Sequence, residues 1–142
     1  MATIHLAAGN EGPVNEGEQA VLAFLAQNLP DNFELHPNLQ ISVGRADLVE
    51  CDIVVLGPDC AWIVEVKDLA GQVKVEEHEF WVNGEPRRHP VAQTRLKAQK
   101  IKSRLALMPE LADVWVQPLV VFAREPAALS IAPTMTSFVV SK

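Results

Sequence analysis

An α/β fold is predicted, with its elements in the order helix, strand, strand, strand, helix, strand. Three observations predict it. Two apolar runs, residues 53–56 and 61–64, flank Gly57-Pro58-Asp59-Cys60, the pattern of two strands joined by a four-residue hairpin loop. Val91, Thr94, Ala98, Ile101, Leu105 and Met108 follow the i, i+3, i+4 rhythm of a helix with a core-facing stripe. A third run, residues 116–123, is mostly aliphatic, as expected of a buried strand.

Taken in order, residues 1–14 are expected to be irregular, with Gly9, Gly12 and Pro13 as breakers. Asn15 is a good N-cap for a first helix, and Glu18, three residues on, is its capping-box partner. Val21, Leu22, Leu25 and Leu29 give that helix a buried face, and Pro30-Asp31-Asn32 ends it. Glu18 therefore has two readings, a cap or a third carboxylate near a site. Residues 33–41 read as a strand in which Pro37 implies an edge position or a bend. Residues 42–50 read as a polar connection, which gives Asp47 and Glu50 two readings, residues of a solvated loop or competitors for the acidic role of Asp52.

Beyond Lys67, residues 68–71 turn the chain. Residues 73–75 and 79–82 form a second hairpin, with His78 facing water at its charged tip. Asn83-Gly84 is a turn signal, and Arg87-Arg88-His89-Pro90 leads into the second helix, residues 90–107, with Pro90 suited to its first turn. Pro118 is expected near the start of the strand at 116–123, and Pro126 and Pro133 interrupt the chain after it. Residues 137–140 form one more strand, running almost to the last residue. That ending is expected of an N-terminal module of a longer protein, with residues 15–142 forming a single domain.

The chain has 142 residues, 49% of them apolar and 21% charged, ordinary values for one domain with a real core. It contains no apolar run long enough for a membrane span and no signal peptide, so a cytoplasmic location is expected. Cys51 and Cys60 fall near opposite ends of the predicted hairpin, roughly 15 Å apart at about 3.3 Å per residue. That separation is too wide for a disulfide, so both are expected to be reduced thiols.

The net charge of −6 hides an asymmetry. Seven of the twelve Lys and Arg residues lie between Arg87 and Arg104, a stretch without an acid. Within it Gln93, Lys97, Lys100 and Arg104 form a stripe turned away from the core. Two readings stand: a solvated face, or Arg87 and Arg88 with Lys97, Lys100 and Arg104 gripping a sugar-phosphate backbone.

The central hairpin concentrates the chemistry. With Gly57–Cys60 as its loop, Leu56 lies opposite Ala61, and counting back puts Asp52 opposite Glu65. Lys67 then shares their face. Like charges directly opposite destabilise a sheet, and a divalent cation held by Asp52 and Glu65 as hard oxygen ligands removes that conflict. Lys67 is placed to reach a phosphate or orient a water.

This order of elements and residues resembles the PD-(D/E)xK nuclease superfamily, and within it the NERD (nuclease-related) branch. The matching pieces are Gly17-Glu18, Glu50-Cys51-Asp52-Ile53-Val54-Val55, and Ile63-Val64-Glu65-Val66-Lys67 with Gly71 four residues later. Trp81, Pro90 and Gln93 also fit, so the resemblance covers about residues 15–123. One departure is that no Pro-Asp pair precedes the hairpin, because Cys51 stands before Asp52.

The resemblance implies a restriction-endonuclease-like core, a mixed central β-sheet flanked by helices on both faces. It further implies Asp52 and Glu65 as ligands of Mg²⁺ (or Mn²⁺), Lys67 as the catalytic lysine, and Glu18 and Gln93 as supporting residues. Fused kinase-, helicase- or topoisomerase-like domains, and a role in DNA processing or phage defence, are likewise implied. The expected function is metal-dependent phosphodiester hydrolysis of DNA. The alternative is a non-catalytic module that binds nucleic acid or a partner within a larger protein.

Overall fold

Thr3 and Ile4 open the structure as a two-residue strand, β1, followed by the helix α1 (Glu16–Asn28) and three successive strands, β2 (Glu34–Gly44), β3 (Asp47–Leu56) and β4 (Cys60–Lys67). Three short strands come next, β5 (Gln72–Val75), β6 (Phe80–Val82) and β7 (Glu85–Arg87), then the helix α2 (Pro90–Leu105). The chain closes with β8 (Trp115–Phe122), β9 (Ala128–Ile131), a 3-10 turn at Pro133–Met135 and β10 (Val139–Ser141). This computed structural model describes residues 1–6, 12–13, 15–124 and 126–141. Gly9, expected as a breaker, and Lys142, the last residue, lie outside the described residues.

The main sheet has six strands in the order β1-β2-β3-β4-β8-β10. It is mixed: β2, β3 and β4 pair antiparallel in sequence, whereas β8 joins β4 in parallel and β10 joins β8 in parallel. The parallel step is possible because α2 lies in the crossover between β4 and β8. A helix covers each face. Val21, Leu22 and Ala26 of α1 pack on Leu35, Ile53, Val55, Val64 and Val121. On the other face Ala98 and Ile101 of α2 pack on Val49, Cys51, Val54, Ile63 and Val116. A second sheet, ordered β7-β6-β5-β9, packs against Val91, Val120 and Phe122, with its own core of Val73, Val75, Phe80 and Val82. Among the described residues no helix is long and apolar enough to cross a membrane.

Local chemistry accounts for the helix ends. Asn15 caps α1, its side chain accepting from the Glu18 N–H at 2.9 Å. The last N–H of that helix, from Leu29, donates to Leu25, and Pro30 comes next, which disfavours helical backbone at Leu29. His89 caps α2 through Nδ1, Pro90 occupies its first turn, and the buried Thr94 hydroxyl donates back to the Pro90 carbonyl at 2.7 Å. The stripe predicted for α2 is buried at Val91, Thr94, Ala98 and Ile101. The helix stops at Leu105, and Met108, expected in the core, is 37% exposed, because Pro109 holds the preceding residue away from helical backbone.

Several segments differ from the expectation. Residues 42–50 are not a loop: β2 and β3 form a long hairpin closed by the two-residue turn Arg45-Ala46, with Ala46 at φ +60°. Asp47 and Glu50 are therefore strand residues. The polar positions here are the outward half of an alternating pattern whose inward half is Leu39, Ile41, Val43, Val49 and Cys51, so polarity by itself did not signal a loop. Residues 1–14 include β1, which pairs in parallel with β2 at Glu34 and Leu35. Pro37 lies beyond that short cover, where β2 can dispense with a ladder N–H. Between Pro126 and Pro133 the chain forms β9, paired in parallel with β5. Both cysteines are free thiols, Cys51 buried and Cys60 half-buried.

Candidate metal centre

The hairpin register counted from Gly57–Cys60 holds: Leu56 pairs with Ala61, Val55 with Trp62, Val54 with Ile63 and Ile53 with Val64. The ladder then ends, so Asp52 and Glu65 are not a ladder pair, contrary to the expectation from the loop length. The reason lies in Asp52 itself. Its Oδ2 accepts the Val66 N–H at 2.9 Å, at the point where continued antiparallel alternation would place the Cys51 carbonyl. A side chain has taken the place of the backbone acceptor, which directs the Asp52 carboxylate along the plane of the sheet.

The neighbouring strand is disturbed at the same level. Pro37 pairs with Ile53 and Leu39 with Cys51, while Asn38 between them has φ +49° and the pairing steps past Asp52. The faces exchange across this point. Cys51 packs on the α2 side and Ile53 on the α1 side, although regular alternation would put both on one face. In β2, Leu35 packs on the α1 side and Leu39 on the α2 side. Asp52 thus stands where the sheet changes face, and it meets groups from both sides.

From the α1 side comes Glu18. Gly17 lets the start of α1 approach closely: a Cβ there would lie 3.1 Å from the Asp68 Cβ and 3.3 Å from that of Ala123. Glu18 is 4% exposed. Burial, first, and then the charge of Asp52, a hydrogen bond shared with Asp52 and the charge of Glu65 push its carboxyl up to about 7. A hydrogen bond from the Asn15 backbone opposes the rise. The two readings of Glu18 are therefore both realised: it closes the capping box and it belongs to the carboxylate cluster.

From the α2 side come Glu65, Lys67 and Lys97. Glu65 is seated on β4 opposite Val120 of β8. One of its oxygens is 3.7 Å from Lys67 Nζ and the other 3.4 Å from Lys97 Nζ. Burial, then the Asp52 charge, raises the Glu65 carboxyl above the usual range, against the pull of Lys97 and Lys67. The thiol of Cys51, the residue before Asp52, is pushed up to about 11, mainly by burial, and stays protonated at neutral pH.

Among the described residues no three His, Cys, Asp or Glu side chains are gathered closely enough to cage a metal ion by themselves. What is present is a linked series, Glu18 to Asp52 and Asp52 to Glu65, in which burial and like charge hold the Glu18 and Glu65 carboxyls up even with two lysines on Glu65. Such an open, all-oxygen donor set fits Mg²⁺, which is held by one or two carboxylates and keeps the remainder of its shell for water and phosphate oxygens. It does not fit a closed zinc site.

The basic segment divides. Arg88, Gln93, Lys97 and Lys100 line a groove of about 680 Å³ between α2 and β3, whose wall includes Leu48 and Glu50. Lys100 Nζ is 3.5 Å from Asp47. Arg87 lies on β7 of the second sheet, 3.7 Å from Glu85. Arg104 is in the last turn of α2 and does not line the groove. The unexpected member is Lys97, read in the sequence as part of a solvated or strand-gripping stripe. Its spacing carried a signal: Lys97 is three residues from Thr94 and four from Ile101, both buried, so it borders the core stripe rather than opposing it. Gln93, one turn earlier, lines the groove, whereas Lys97 is the α2 residue that pairs with Glu65.

No curated protein and no solved structure matches the chain. A family model does, over residues 13–123, that of NERD, the nuclease-related domain. The matched span runs from just before α1 through β8 and holds Glu18, Asp52, Glu65, Lys67 and Lys97. With its two-sided mixed sheet and a carboxylate cluster at the end of the β3–β4 ladder, the chain belongs to the NERD family and through it to the PD-(D/E)xK nuclease superfamily.

Proposed function

We propose that this nuclease-related domain hydrolyses phosphodiester bonds in DNA with the help of Mg²⁺ or Mn²⁺. The observation that carries the reading is the convergence of Glu18, Asp52 and Glu65 with Lys67 beside a basic groove. Asp52 and Glu65 are the residues to hold the ion, with Glu18 beside Asp52 as a supporting carboxylate. When bound, the ion supplies a Lewis acid for the scissile phosphate and lowers the pKa of an attached water.

The chain's own residues do the rest. The Val66 N–H holds the Asp52 carboxylate in place through a strand hydrogen bond, which preorganises it. Lys67, kept close to Glu65, orients the attacking water or stabilises negative charge building on the phosphate. Arg88 and Lys100 line the groove that leads to Lys97 and grip the nucleic-acid backbone, so affinity falls steeply with salt. In the cell the domain acts in DNA processing or phage defence, alongside further kinase-, helicase- or topoisomerase-like domains.

Nicking of supercoiled plasmid in Mg²⁺ or Mn²⁺ tests the proposal, with wild type set against Lys67→Ala and Asp52→Ala. Wild type is expected to nick and both variants to lose activity. Equal activity in all three removes the site.

One observation favours a second reading, a non-catalytic binding module. Lys67 and Lys97 both lie on Glu65, and Glu18 has a carboxyl raised to about 7, so the cluster comes near neutrality without any metal. Calorimetric titration with Mn²⁺ separates the two readings: micromolar to millimolar binding supports the nuclease, and none supports the binding module.

A further inference from the structure

From the closed end of the β3–β4 hairpin, a groove of about 700 Å³ runs between β2, the C-terminal turns of α2 and the loop Gly57–Cys60. Its floor is apolar: Leu39 and Ile41 of β2 and Leu105 of α2 are only half-buried, α2 being packed mainly on β8. One wall is held in place. Lys102 donates to the carbonyls of Ala112 and Val114 at 2.7 and 2.6 Å, which pins the loop after α2 with Leu111 still 38% exposed. An apolar surface kept open by polar bonds, instead of collapsing onto itself, marks an interaction site.

The rim identifies the occupant. Glu34, Asp59, Glu110 and Asp113 line the groove, and among the described residues no Lys or Arg does. Glu34 has His5 at 3.0 Å; the other three acids are open to solvent or half-exposed. Negative charge of this density repels phosphate backbones, anionic lipid surfaces and the same groove on a second copy. Apolar floor and acidic rim together complement an amphipathic helix with aliphatic residues on one side and Lys or Arg flanking them.

We infer that this groove docks a basic amphipathic segment of a partner polypeptide. The acidic rim at Asp59, Glu110 and Asp113 and the carboxylate cluster draw on different residues, although the groove floor runs along β2 as far as Leu39 and Ile41. The inference does not depend on metal binding or cleavage.

A fluorescently labelled peptide with Leu at i, i+3, i+4 and i+7 and Lys at the remaining positions serves as the probe, read by anisotropy against the full chain. Saturable one-to-one binding is expected, at least tenfold tighter than for a scrambled peptide of the same composition. Leu111→Lys and the pair Glu110→Lys with Asp113→Lys alter exposed or half-exposed residues and should each weaken binding at least tenfold, with an unchanged circular dichroism spectrum and melting temperature. Equal binding of the scrambled peptide, or full binding by folded variants, overturns the inference. So does a wild-type dimer that Leu111→Lys converts to monomer, since the groove would then belong to a second copy.

Discussion

The two ends of the β3–β4 hairpin are built on opposite terms. At its closed end every residue pair from Leu56 and Ala61 to Ile53 and Val64 sits in an ordinary ladder, and side chains alternate between two oily faces. One residue further on, the ladder stops, the neighbouring strand kinks at Asn38, and charged groups from α1, α2 and β4 meet around Asp52. The difference teaches where a sheet can hold chemistry. Regular pairing sends each side chain to one face and satisfies each N–H with a carbonyl, so a carboxylate can address both faces only where that pairing is given up. Asp52 and Ile53 are neighbours in sequence, yet one belongs to the site and the other to the core.

The largest effect that separates the two ends is on cleavage. Asp52→Ala is expected to lower metal-dependent plasmid nicking on the order of 100-fold or more. Ile53→Ala should leave metal affinity within about twofold and instead lose about 2–5 kcal/mol of stability in urea titration. A large loss of metal affinity in Ile53→Ala would show that the two ends are not separable.

A sharper test uses Asp52 alone. Asp52→Asn keeps an oxygen for the Val66 N–H, whereas Asp52→Ala leaves that N–H without an acceptor. The alanine variant should therefore be less stable than the asparagine variant by about 1–3 kcal/mol, while both lose Mn²⁺ binding. Equal stability of the two would mean that the carboxylate does not replace a ladder acceptor.

Stability against pH tests the buried end. The Glu18 carboxyl is raised in the folded chain from an ordinary 4.5 to about 7, so between those values the folded state holds a proton that the unfolded state has released. Its contribution to the stability of the metal-free chain is full below about 4.5, is lost as pH rises, and is gone above about 7. Glu18→Gln should flatten that slope and, at pH 8, make the metal-free chain more stable than wild type by about 1 kcal/mol or more. Glu65 shifts in the same direction, so a residual slope remains. A wild-type profile that is flat or rises from pH 5 to 7.5 would count against the buried cluster.

The smallest effect probes Lys97. Lys97→Met keeps most of the stem but removes the ammonium on Glu65, and Mn²⁺ affinity measured without DNA should tighten by about threefold to tenfold. Lys97→Arg should stay near wild type. Unchanged affinity in Lys97→Met would return Lys97 to the strand-gripping role read from sequence.

Much of this arrangement was legible in the residues alone. The Gly57–Cys60 loop set the hairpin register, because a four-residue loop between two apolar runs leaves few alternatives. The buried stripe of α2 came from helical spacing, and the Asn15 cap from the preference of a short polar side chain for a free helix N–H. The hairpin of β2 and β3 was not legible: outward polar residues in a half-exposed strand look like a loop, and Ala46 at φ +60° gives no glycine signal. Nor did the sequence show that Glu18 would serve two purposes, since that depended on how closely Gly17 lets α1 approach the sheet.

By itself the sequence determined the order of the main helices and strands, though not β1, the full β2–β3 hairpin or β9, together with the β3–β4 register and which acids and lysines were candidates, because turn chemistry and hydrophobic period act between residues near in the chain. Only the tertiary structure decided that Asp52 would lie along the sheet plane, that Glu18 and Glu65 would reach it from opposite faces, and that Lys97 would sit on Glu65. Those outcomes depend on how two helices settle against a sheet that changes face at one residue. Contacts across that distance are set by packing and burial, which no local pattern records.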